Sequence, residues 1–554
     1  MEKERPPAEV LVVGAGPVGL TVACELARRG VKLRIVDKAP AVAETSRALA
    51  VFPRTLEVFS FMGIADRVLE AGRKLEGIAF FGERGPAGRL DFTALRTPYP
   101  FVLTLPQAET ERLLGEHLAS FGVEVERGIE LIGFAQDGEG VRSILRRPGV
   151  RREETLRSAW LLGCDGAHST VRHILGAGFE GWGPGRPQRE TFILADVKLE
   201  GALPSNHVHL FLSREGIFGV VPFGRENVRL IANLPEEPFA GRAENEPEPT
   251  LADFDAMAAR RGAHGVRFRD PFWISRFGIS YRKVRHFRHG RVFLSGDAAH
   301  IHSPAGGQGM NTGIQDAFNL AWKLALVTHG ASGEELLESY GKEREPVARG
   351  VLRLTDGITN AATARGTLAR RVRDLLLPPL LRWETATRRA ARRLAELDIR
   401  YPEGAVVEDR SGEPLRAGDR APDAALVELA TGRPVRLFEL FRDTRPVLLA
   451  FEGLQSRPES RAQIGALLGA FTDSGQSLED YLIIRPIVRD YAFPDAASLL
   501  DRSGAVHLLY DADAGGAVLV RPDGYIGYRS GWRQIGHLRD YLARLFSRLP
   551  LATR

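Results

Sequence analysis

The feature that most limits the fold of this chain lies at its N-terminus, where an apolar run leads into closely spaced glycines. Val10-Leu11-Val12-Val13 is typical of a buried strand, and Gly14-Ala15-Gly16-Pro17-Val18-Gly19 follows it directly. A helical pattern from about Gly16 to Arg29 and a second short strand, Leu33 to Val36, complete a strand–helix–strand unit. Such a unit is typical of the doubly wound α/β folds.

The spacing of these glycines, G-x-G-x-x-G, has a defined physical role between a strand and a helix. Gly14 permits a tight turn, Gly16 lets the backbone approach a pyrophosphate, and Gly19 lets the helix pack closely on the strand. Free N–H groups at the start of the helix favour the phosphate charge. Asp37, next to Lys38, is placed to accept a hydrogen bond from a ribose hydroxyl. We therefore predict a dinucleotide site; the alternative is a glycine-rich turn that binds nothing.

A second copy of the G-x-G-x-x-G spacing shows that the spacing alone, without a strand before it and a helix after it, does not indicate a nucleotide site. Gly176-Ala177-Gly178-Phe179-Glu180-Gly181 also fits the pattern, but it follows a helix-like segment and opens no helix. We predict that it is a loop.

Two later segments combine an apolar strand with a turn that carries an aspartate. Cys164-Asp165-Gly166 follows Trp160-Leu161-Leu162 and leads into a helix, although Asp-Gly alone is a common turn. The other is Gly296-Asp297-Ala298-Ala299-His300, after the strand Val292 to Ser295. It continues as Ser303-Pro304-Ala305-Gly306-Gly307-Gln308-Gly309-Met310-Asn311 into a long helix.

Together these three segments resemble those of the flavoprotein aromatic hydroxylases, the class of para-hydroxybenzoate hydroxylase and phenol hydroxylase, over residues 8 to about 400. The resemblance implies that FAD is the cofactor, with its adenosine half at the N-terminal glycines. It also implies that the Asp-Gly pair serves FAD and the pyridine nucleotide together, and that the last segment surrounds the ribityl chain and isoalloxazine. The residues expected to hold the cofactor are Gly14, Gly16, Pro17, Gly19, Asp37, Lys38, Arg47, Gln107, Asp165, Gly166, Gly296, Asp297, Pro304, Gly307, Gly309, Met310 and Asn311.

The last of the three segments suits a flavin for physical reasons. Its glycines let backbone N–H groups lie flat against a planar ring, and the helix that begins near Met310 points its positive end at that ring. A reduced flavin is negative at N1 and at the C2 carbonyl, so this geometry stabilises it. Asp297 is placed to bind a ribityl hydroxyl.

The resemblance also implies the activity. NADPH or NADH passes a hydride to FAD, O2 then yields a flavin C4a-hydroperoxide, and one oxygen atom is transferred to an aromatic, phenolic or polyketide-like substrate. No second nucleotide-binding domain is visible, which fits a nicotinamide that binds transiently. A Baeyer–Villiger or epoxidising enzyme on the same fold is the alternative. A non-catalytic, flavin-bound interaction protein is a third hypothesis, and the Trp-x-Trp-x-Ile-Pro motif of flavin-dependent halogenases is absent.

The predicted fold class is α/β: a Rossmann-like FAD-binding domain, an inserted β-sheet substrate domain and a C-terminal thioredoxin-like α/β domain. The first part of the FAD-binding domain spans 1–178, of which about 73–104 is a candidate to join the substrate domain. The β-rich substrate domain spans 179–285. Residues 286–400 complete the FAD-binding domain with a helical connector, and 418–549 form the last domain.

The alternating runs of the β-rich region are expected to form a sheet that roofs the substrate pocket. His209, Phe211 and Phe218, together with Pro304, are the candidates for lining it. Their assignment as ordinary core or surface positions is the favoured alternative.

The C-terminal unit resembles the thioredoxin-like domain that is appended to some of these hydroxylases. The matching residues are Arg420-Ala421-Pro422-Asp423 and Val520-Arg521-Pro522-Asp523-Gly524-Tyr525. The two cysteines of the chain, Cys24 and Cys164, both lie outside it, so a dithiol redox role is excluded. A packing or oligomer role remains, and a homodimer is one candidate assembly.

Composition excludes several other classes of function. The chain of 554 residues has 75 basic and 70 acidic residues, a balance that gives no sign of nucleic-acid binding. No stretch is apolar enough to span a membrane, and Met1 to Glu9 lacks a signal-peptide core, so a cytoplasmic location is expected. His300 and His302 lack further metal-ligand spacing, so no metal is predicted.

One segment is unusually basic. Residues 365–393 hold nine arginines interspersed with leucines. Such a helix can bind an acidic membrane or partner, but Pro378-Pro379 is expected to interrupt it. A solvated helical connector is therefore the preferred interpretation.

Overall fold

The computed structural model describes residues 8–42, 48–83, 85–150, 153–181, 190–201, 203, 206–234, 248–279, 282–301, 306–362, 367–404, 406–472, 478–491, 493, 495 and 497–549. Arg47, His302 and Pro304, which the sequence analysis singled out, lie outside the described residues.

Secondary structure alternates between strands and helices through the first 181 residues. In chain order the elements are β1 (Val10–Val13), α1 (Pro17–Arg28), β2 (Leu33–Asp37), β3 (Ala50–Val51), α2 (Pro53–Met62), α3 (Ala65–Ala71), β4 (Arg73–Leu75), β5 (Gly77–Gly82), β6 (Gly85–Asp91), β7 (Val102–Thr104), α4 (Gln107–Ser120), β8 (Val125–Arg127), β9 (Glu130–Gln136), β10 (Val141–Arg146), β11 (Glu154–Ser158), β12 (Trp160–Gly163), α5 (Thr170–Ile174) and β13 (Phe179–Gly181).

The middle of the chain is first rich in strands and then helical. Its elements are β14 (Glu190–Gly201), β15 (His207–Ser213), β16 (Gly216–Phe223), β17 (Asn227–Asn233), α6 (Leu251–Arg260), β18 (Val266–Ile279), β19 (Arg282–Val284), β20 (Arg288–His289), β21 (Val292–Leu294), β22 (His300–Ile301), α7 (Gly309–Thr328), α8 (Glu338–Ala362), α9 (Thr367–Arg382) and α10 (Glu384–Leu394).

The last part of the chain returns to a mixture of strands and helices. It consists of β23 (Glu408–Arg410), β24 (Ala425–Glu428), β25 (Pro434–Arg436), α11 (Leu437–Leu440), β26 (Val447–Phe451), α12 (Pro458–Thr472), β27 (Ile483–Val488), β28 (Leu499–Leu500), α13 (Ala505–Leu509), β29 (Gly516–Val520), β30 (Ile526–Ser530) and α14 (Gly536–Leu545).

The first sheet has six strands in the order β20-β21-β12-β1-β2-β8, and every pair except β20–β21 is parallel. All four residues of β1 are buried, as expected for a strand covered on both faces. Helix α1 packs against α4 and α7. Strands β21, β12 and β1 are neighbours in that order and run parallel to one another. The segments that follow these three strands therefore lie at the same edge of the sheet.

The second sheet has seven strands in the order β18-β14-β17-β16-β15-β5-β6. Strands β5 and β6, from Gly77–Asp91, join it although they are far away in sequence, and β5 runs parallel to β15. Helix α6 covers one face of this sheet, where Phe254 and Met257 belong to the same buried cluster as Phe211 and Phe218. The other face borders the large cavity described below.

Helix α9 differs from the expectation that Pro378 and Pro379 would interrupt the basic segment, because the helix continues through both prolines to Arg382. Leu375 and Leu376, one turn before them, are exposed, so water can satisfy carbonyl groups that the prolines leave without donors. Leu377, by contrast, packs against the cluster of Leu212 and Ile217 on the second sheet and anchors the helix there.

The C-terminal unit is built on a mixed sheet of eight strands in the order β23-β30-β29-β26-β27-β28-β24-β25. β26 is parallel to β27 and antiparallel to β29. β23, at Glu408–Arg410, pairs with β30, so this sheet takes in residues that precede position 418. With the two N-terminal sheets, this arrangement confirms the mixed α/β class predicted from the sequence.

Candidate functional site

A cavity of about 1790 Å³ lies between the first sheet and the second. Gly16, Gly166 and Asp297, which follow β1, β12 and β21, border one side of it. Leu210 and Ile231 of the second sheet border the other. Since single-ligand pockets usually measure about 300–1,000 Å³, this cavity has room for a cofactor and a substrate together.

The three N-terminal glycines are required for different reasons. A Cβ on Gly14, whose φ is +101°, would lie 2.4 Å from the carbonyl oxygen of Cys164, and one on Gly19 would lie 1.9 Å from that of Gly14. A Cβ on Gly16 would meet nothing within 4 Å. Gly14 and Gly19 therefore allow close packing, whereas Gly16 leaves open space beside the start of α1.

The start of α1 is suited to an anion. Gly16 is the N-cap residue, no side chain caps the helix, and its first turn contains no acidic residue. Pro17, the first helical residue, lines the cavity with Gly16. The free N–H groups and the helix dipole at this point could hold a pyrophosphate.

Asp37 lies at the end of β2 beside the glycine loop. Its Oδ2 accepts a hydrogen bond of 2.6 Å from the backbone N–H of Ala15, and its Oδ1 accepts one of 2.8 Å from that of Ala39. A carboxylate has further lone pairs, so Asp37 could also accept from a ribose hydroxyl. Lys38 is exposed and does not border the cavity.

Asp165 and Gly166 form the turn between β12 and α5. Asp165 accepts hydrogen bonds from Ser169 Oγ at 2.5 Å and from the N–H of Val171 at 3.1 Å, so its carboxylate organises the start of α5. Burial raises the pKa of this carboxyl, and these hydrogen bonds oppose the rise. Gly166, with φ +78°, borders the cavity directly.

Arg172 connects the second and third motifs, a role that its position in the sequence did not reveal. Its guanidinium donates to the carbonyl of Ala167 at 2.9 Å and to that of Ala298 at 3.2 Å. It also lies 4.1 Å from the ring centre of Phe179. The side chain thus holds the two turns at a constant separation on the cavity wall.

The third motif brings glycine backbone to the cavity. Gly296 has φ +59°, and a Cβ there would lie 2.8 Å from Val18 Cγ2 in α1. Asp297, Gly307, Gly309 and Met310 all border the cavity. The N-terminus of α7 has no side-chain cap and no acidic residue in its first turn, so its N–H groups could face a planar anionic ring.

Asn311 was expected to contact the cofactor, but its side chain is turned away from the cavity. It is buried, accepts from the N–H of Phe52, and donates to the carbonyls of Ala50 and Gly307, each at 2.9 Å. Asn311 therefore positions β3 and the glycine loop. Helical rotation between Met310 and Asn311 is the physical reason for this difference.

Behind the third motif lies a buried charge cluster. Asp316 Oδ2 is 2.7 Å from His300 Nε2, and Arg344 Nε donates to Asp316 Oδ1 at 2.6 Å. Burial opposes ionisation of Asp316, but Arg344 and His300 outweigh it and lower the pKa of its carboxyl. His300 is thus a hydrogen-bond partner of Asp316, and among the described residues no group of side chains could hold a metal ion.

Gln107, the first residue of α4 and a residue expected to contact the cofactor, borders the cavity. Its Nε2 donates to Glu111 Oε1 at 2.8 Å, one turn along the helix. This bond fixes the side chain at the cavity wall.

The pocket candidates of the second sheet lie on its other face, so their assignment to the pocket lining was wrong. His209 is buried and its ring stacks on that of Phe81 at 5.7 Å, while Phe211 and Phe218 belong to the core beneath α6. Leu210 is an alternate residue on the same strand and borders the cavity. Phe211 and Phe218 lie in the core because α6 covers their face of the sheet; both faces of β15 carry apolar residues, so alternation alone could not identify the cavity side.

An ion pair is embedded in the cavity face of the same sheet. Arg229 donates from Nε and Nη2 to the two oxygens of Asp196 at 2.7 and 2.8 Å, and its guanidinium lies 5.2 Å from the ring centre of Trp273. Phe192 and Phe277 stack nearby. This wall therefore combines flat aromatic surface with the charge-neutralised Arg229, and Arg276 of β18 borders the cavity as well.

Comparison with known proteins agrees with this geometry. Residues 7–355 match the FAD binding domain family, and residues 415–548 match the aromatic-ring hydroxylase C-terminal family. The first range includes all three motifs of the cavity wall.

The chain belongs to the FAD-dependent aromatic hydroxylases.

Several known monooxygenases are similar to this protein over nearly the whole length of the chain. The 6-methylpretetramide 4-monooxygenase of Streptomyces rimosus is 36% identical, over 96% of this chain and 93% of the relative. The pentachlorophenol 4-monooxygenase of Sphingobium chlorophenolicum is 33% identical, over 95% and 94%. The structure of OxyS, an anhydrotetracycline hydroxylase from Streptomyces rimosus, superposes with a TM-score of 0.76, 30% identity and coverage of 98% and 99%.

This aromatic hydroxylase is accordingly a monooxygenase that uses FAD, with NAD(P)H as its co-substrate. Its cavity wall fits that cofactor: open space beside Gly16, an uncapped start of α1, and glycine backbone at the start of α7. Within the described part of the chain, no helix combines the length and the apolar character needed to cross a membrane.

Proposed function

We propose that this enzyme hydroxylates a phenolic substrate of several fused rings. The observation that carries the proposal is the breadth of apolar cavity surface that faces the start of α7. Leu210, Ile231 and Phe277 on the second sheet contribute to it, and so do Leu377 and Leu381 of α9. A pocket for a single ring would not need such a wall, and the names of the tetracycline-type relatives point the same way.

We assign the adenosine half of FAD to Gly14, Gly16, Pro17, Gly19 and Asp37. The uncapped N-terminus of α1 and the carboxylate beside it support this assignment. We assign the flavin half to the cavity wall formed by the turns after β12 and β21 and by the starts of α4 and α7. Its proposed contacts are Gln107, Gly166, Asp297, Gly307, Gly309 and Met310. Asp165, Gly296 and Asn311 hold these residues in place.

FAD, when bound, supplies the hydride acceptor and the ring at which O2 is activated. The chain's own residues bind, orient and shield. The free N–H groups at the start of α7 would stabilise negative charge on the bound ring. The aromatic wall at Trp273 and Phe277 orients the flat substrate, and the apolar surroundings exclude water from the reacting atoms.

Three finer points complete the proposal. The division into an FAD-binding part, a substrate domain built on the second sheet and a C-terminal unit is supported by the separate sheets. A cytoplasmic location suits an enzyme that consumes NAD(P)H and keeps two buried free cysteines. A homodimer is supported by four large apolar side chains exposed together on and after α9: Leu375, Leu376, Leu380 and Trp383.

The test is a screen of fused-ring phenols against the FAD-loaded enzyme, with NADPH and NADH compared as donors. We expect substrate-dependent O2 uptake and a product one oxygen atom heavier, with the label from isotopic O2 on a ring carbon. An intact ring with a new hydroxyl is the expected structure. A lactone or epoxide of the same mass would assign a different oxygenation, and donor oxidation without any labelled product would refute the proposal.

A further inference from the structure

Helix α10 turns one face toward the cavity, although its basic segment was expected to be a solvated connector. The residues of this face recur at intervals of three and four, as one side of a helix requires. They are Ala386, Arg389, Ala390, Arg393 and Leu394. Two arginines are therefore set among small and apolar side chains in the wall of the substrate cavity.

Neither of these arginines is neutralised within the described part of the chain. No described carboxylate forms an ion pair with Arg389 or Arg393, whereas Arg388 on the same helix pairs with Glu384 at 2.6 Å. Among the described residues that border the cavity, Asp297 is the single carboxylate. The wall formed by α10 therefore carries a net positive charge, and other basic side chains also border the cavity: Arg172, Arg229, Arg276 and Arg282.

The position of α10 places this charge near the expected reaction centre. The carbonyl of Leu394 accepts a hydrogen bond of 3.1 Å from Gln308 Nε2, and Gln308 is the N-cap residue of α7. Arg393 directly precedes Leu394 on α10, and Arg389, four residues before Arg393, lies about 6 Å from it along the helix axis. Leu394 itself packs in a cluster with Phe52, which also borders the cavity.

We propose that Arg389 and Arg393 bind an anionic oxygen of the substrate, a carboxylate or an ionised enol or phenol on a fused-ring molecule. This inference rests on the proposed function and adds the charge of the substrate to it. A guanidinium presents paired N–H donors that match a carboxylate, and such bonds are strong where water is partly excluded. The apolar remainder of the wall accounts for the rings, and the two arginines account for the charge.

The experiment measures binding by isothermal titration calorimetry to the FAD-loaded full chain, without NAD(P)H. The probes are an anthraquinone carboxylate and the matching anthraquinone carboxamide, which share their ring system. We expect the carboxylate to bind at least about ten-fold more tightly, a difference of about 1.4 kcal/mol. R389Q/R393Q should abolish this preference, and Arg388→Gln, on the outer face of α10, should retain it. Added salt should weaken the preference, because both arginines are partly exposed.

A preference that survives in R389Q/R393Q would overturn the inference, and so would a parent enzyme that fails to bind the carboxylate or to prefer it. A higher KM for NADPH in the double variant, with the preference unchanged, would assign these arginines to the phosphates of the donor instead. Because the preference for the carboxylate is measured by binding and not by turnover, the two proposals fail separately. An enzyme that hydroxylates fused-ring phenols without preferring the carboxylate would refute only the inference.

Discussion

Arg521 of the C-terminal unit donates from Nη1 and Nη2 to the two carboxylate oxygens of Glu343 in α8, at 2.6 and 2.8 Å. Both side chains are almost completely buried. Asp523 accepts from Arg521 and also from Asn319 and Trp322 of α7, at 3.1 and 3.2 Å. Because α7 begins at the cavity wall, the cysteine-free C-terminal unit holds the far end of the helix whose start borders the site.

Removing Arg521 should therefore destabilise the whole protein. Arg521→Met leaves Asp523 buried without its guanidinium and Glu343 with Lys323 as its remaining cationic partner, and breaking a buried ion pair typically costs about 3–5 kcal/mol. We expect a clear fall in Tm in thermal unfolding of the full chain. Arg533→Met, an exposed arginine nearby in sequence, is the control. Equal melting temperatures for the two variants would show that the buried cluster does not brace α7.

The glycines of the N-terminal loop should separate folding from cofactor binding. Gly19→Ala places a methyl group against the carbonyl of Gly14, so we expect unstable protein. Gly16→Ala adds its methyl group to open space, so the protein should melt normally without FAD and yet bind FAD more weakly. Equilibrium dialysis with FAD, paired with thermal unfolding of the apoprotein, measures both effects. An unchanged FAD Kd for Gly16→Ala would remove that residue from the pyrophosphate site.

Gly309→Pro should lower the flavin midpoint potential more than it lowers FAD affinity. Gly309 is the first residue of α7, where proline suits the backbone but removes one N–H. Oxidised flavin is neutral at its ring and reduced flavin is negative, so the lost donor matters mainly after reduction. A contribution of about 1 kcal/mol corresponds to roughly 20 mV for a two-electron couple. Spectroelectrochemistry should find this decrease in Gly309→Pro and none in Met310→Leu; identical midpoints would place the loop away from the pyrimidine edge.

Glu396 should make stability depend on pH. This buried residue, at φ +58°, accepts from Thr312 Oγ1 at 2.8 Å and from Gln315 in α7. Burial raises its pKa to about 7, although Thr312, Arg344 and Gln315 oppose the rise, while Asp316 adds to it.

The folded protein therefore retains a proton on Glu396 that the unfolded chain releases between pH 4.5 and about 7. The resulting stabilisation, roughly 3 kcal/mol at most, is complete below the lower value and is lost as the pH rises through the upper one. Glu396→Gln should flatten the dependence of Tm on pH in this interval, whereas Glu384→Gln, at an exposed position of α10, should not. Parallel pH profiles for the parent and Glu396→Gln would contradict this assignment.

Alanine substitutions at two adjacent residues of β15 should affect different properties, substrate binding for Leu210 and stability for Phe211. Leu210→Ala removes apolar surface from the cavity wall, so we expect KM for the aromatic substrate to rise by up to about ten-fold with a normal Tm. Phe211→Ala empties part of the core beneath α6, where Phe211 stacks on Phe81 at 4.8 Å, and should cost about 3–5 kcal/mol of stability. Steady-state kinetics and thermal unfolding distinguish the two, and a stability loss confined to Leu210→Ala would reverse our assignment of the sheet faces.

The features that could be predicted from the sequence alone depend on residues that are close together along the chain. The strand Val10–Val13, the glycines after it and Asp37 lie within one short strand–helix–strand unit, where spacing along the chain fixes spacing in three dimensions. The mixed α/β class follows from the same kind of pattern, since alternating apolar strands and helices can bury their faces in few ways. The segments after β12 and β21 could be assigned to the same site only through the resemblance, because the local sequence does not reveal that β12 pairs with β1 and β21 with β12.

Other features depend on contacts between residues far apart in the chain. The period of two in β15 separates Leu210 from Phe211, but only the docking of α6 on one side decides which of them faces the cavity. The rotation of α7 turns Asn311 toward β3, and the packing of α10 brings Arg393 to the cavity wall. Arg521 and Glu343 are 178 residues apart. Such contacts form only when separate elements pack together. Burial and charge pairing act through space, so they produce no periodic pattern in the sequence.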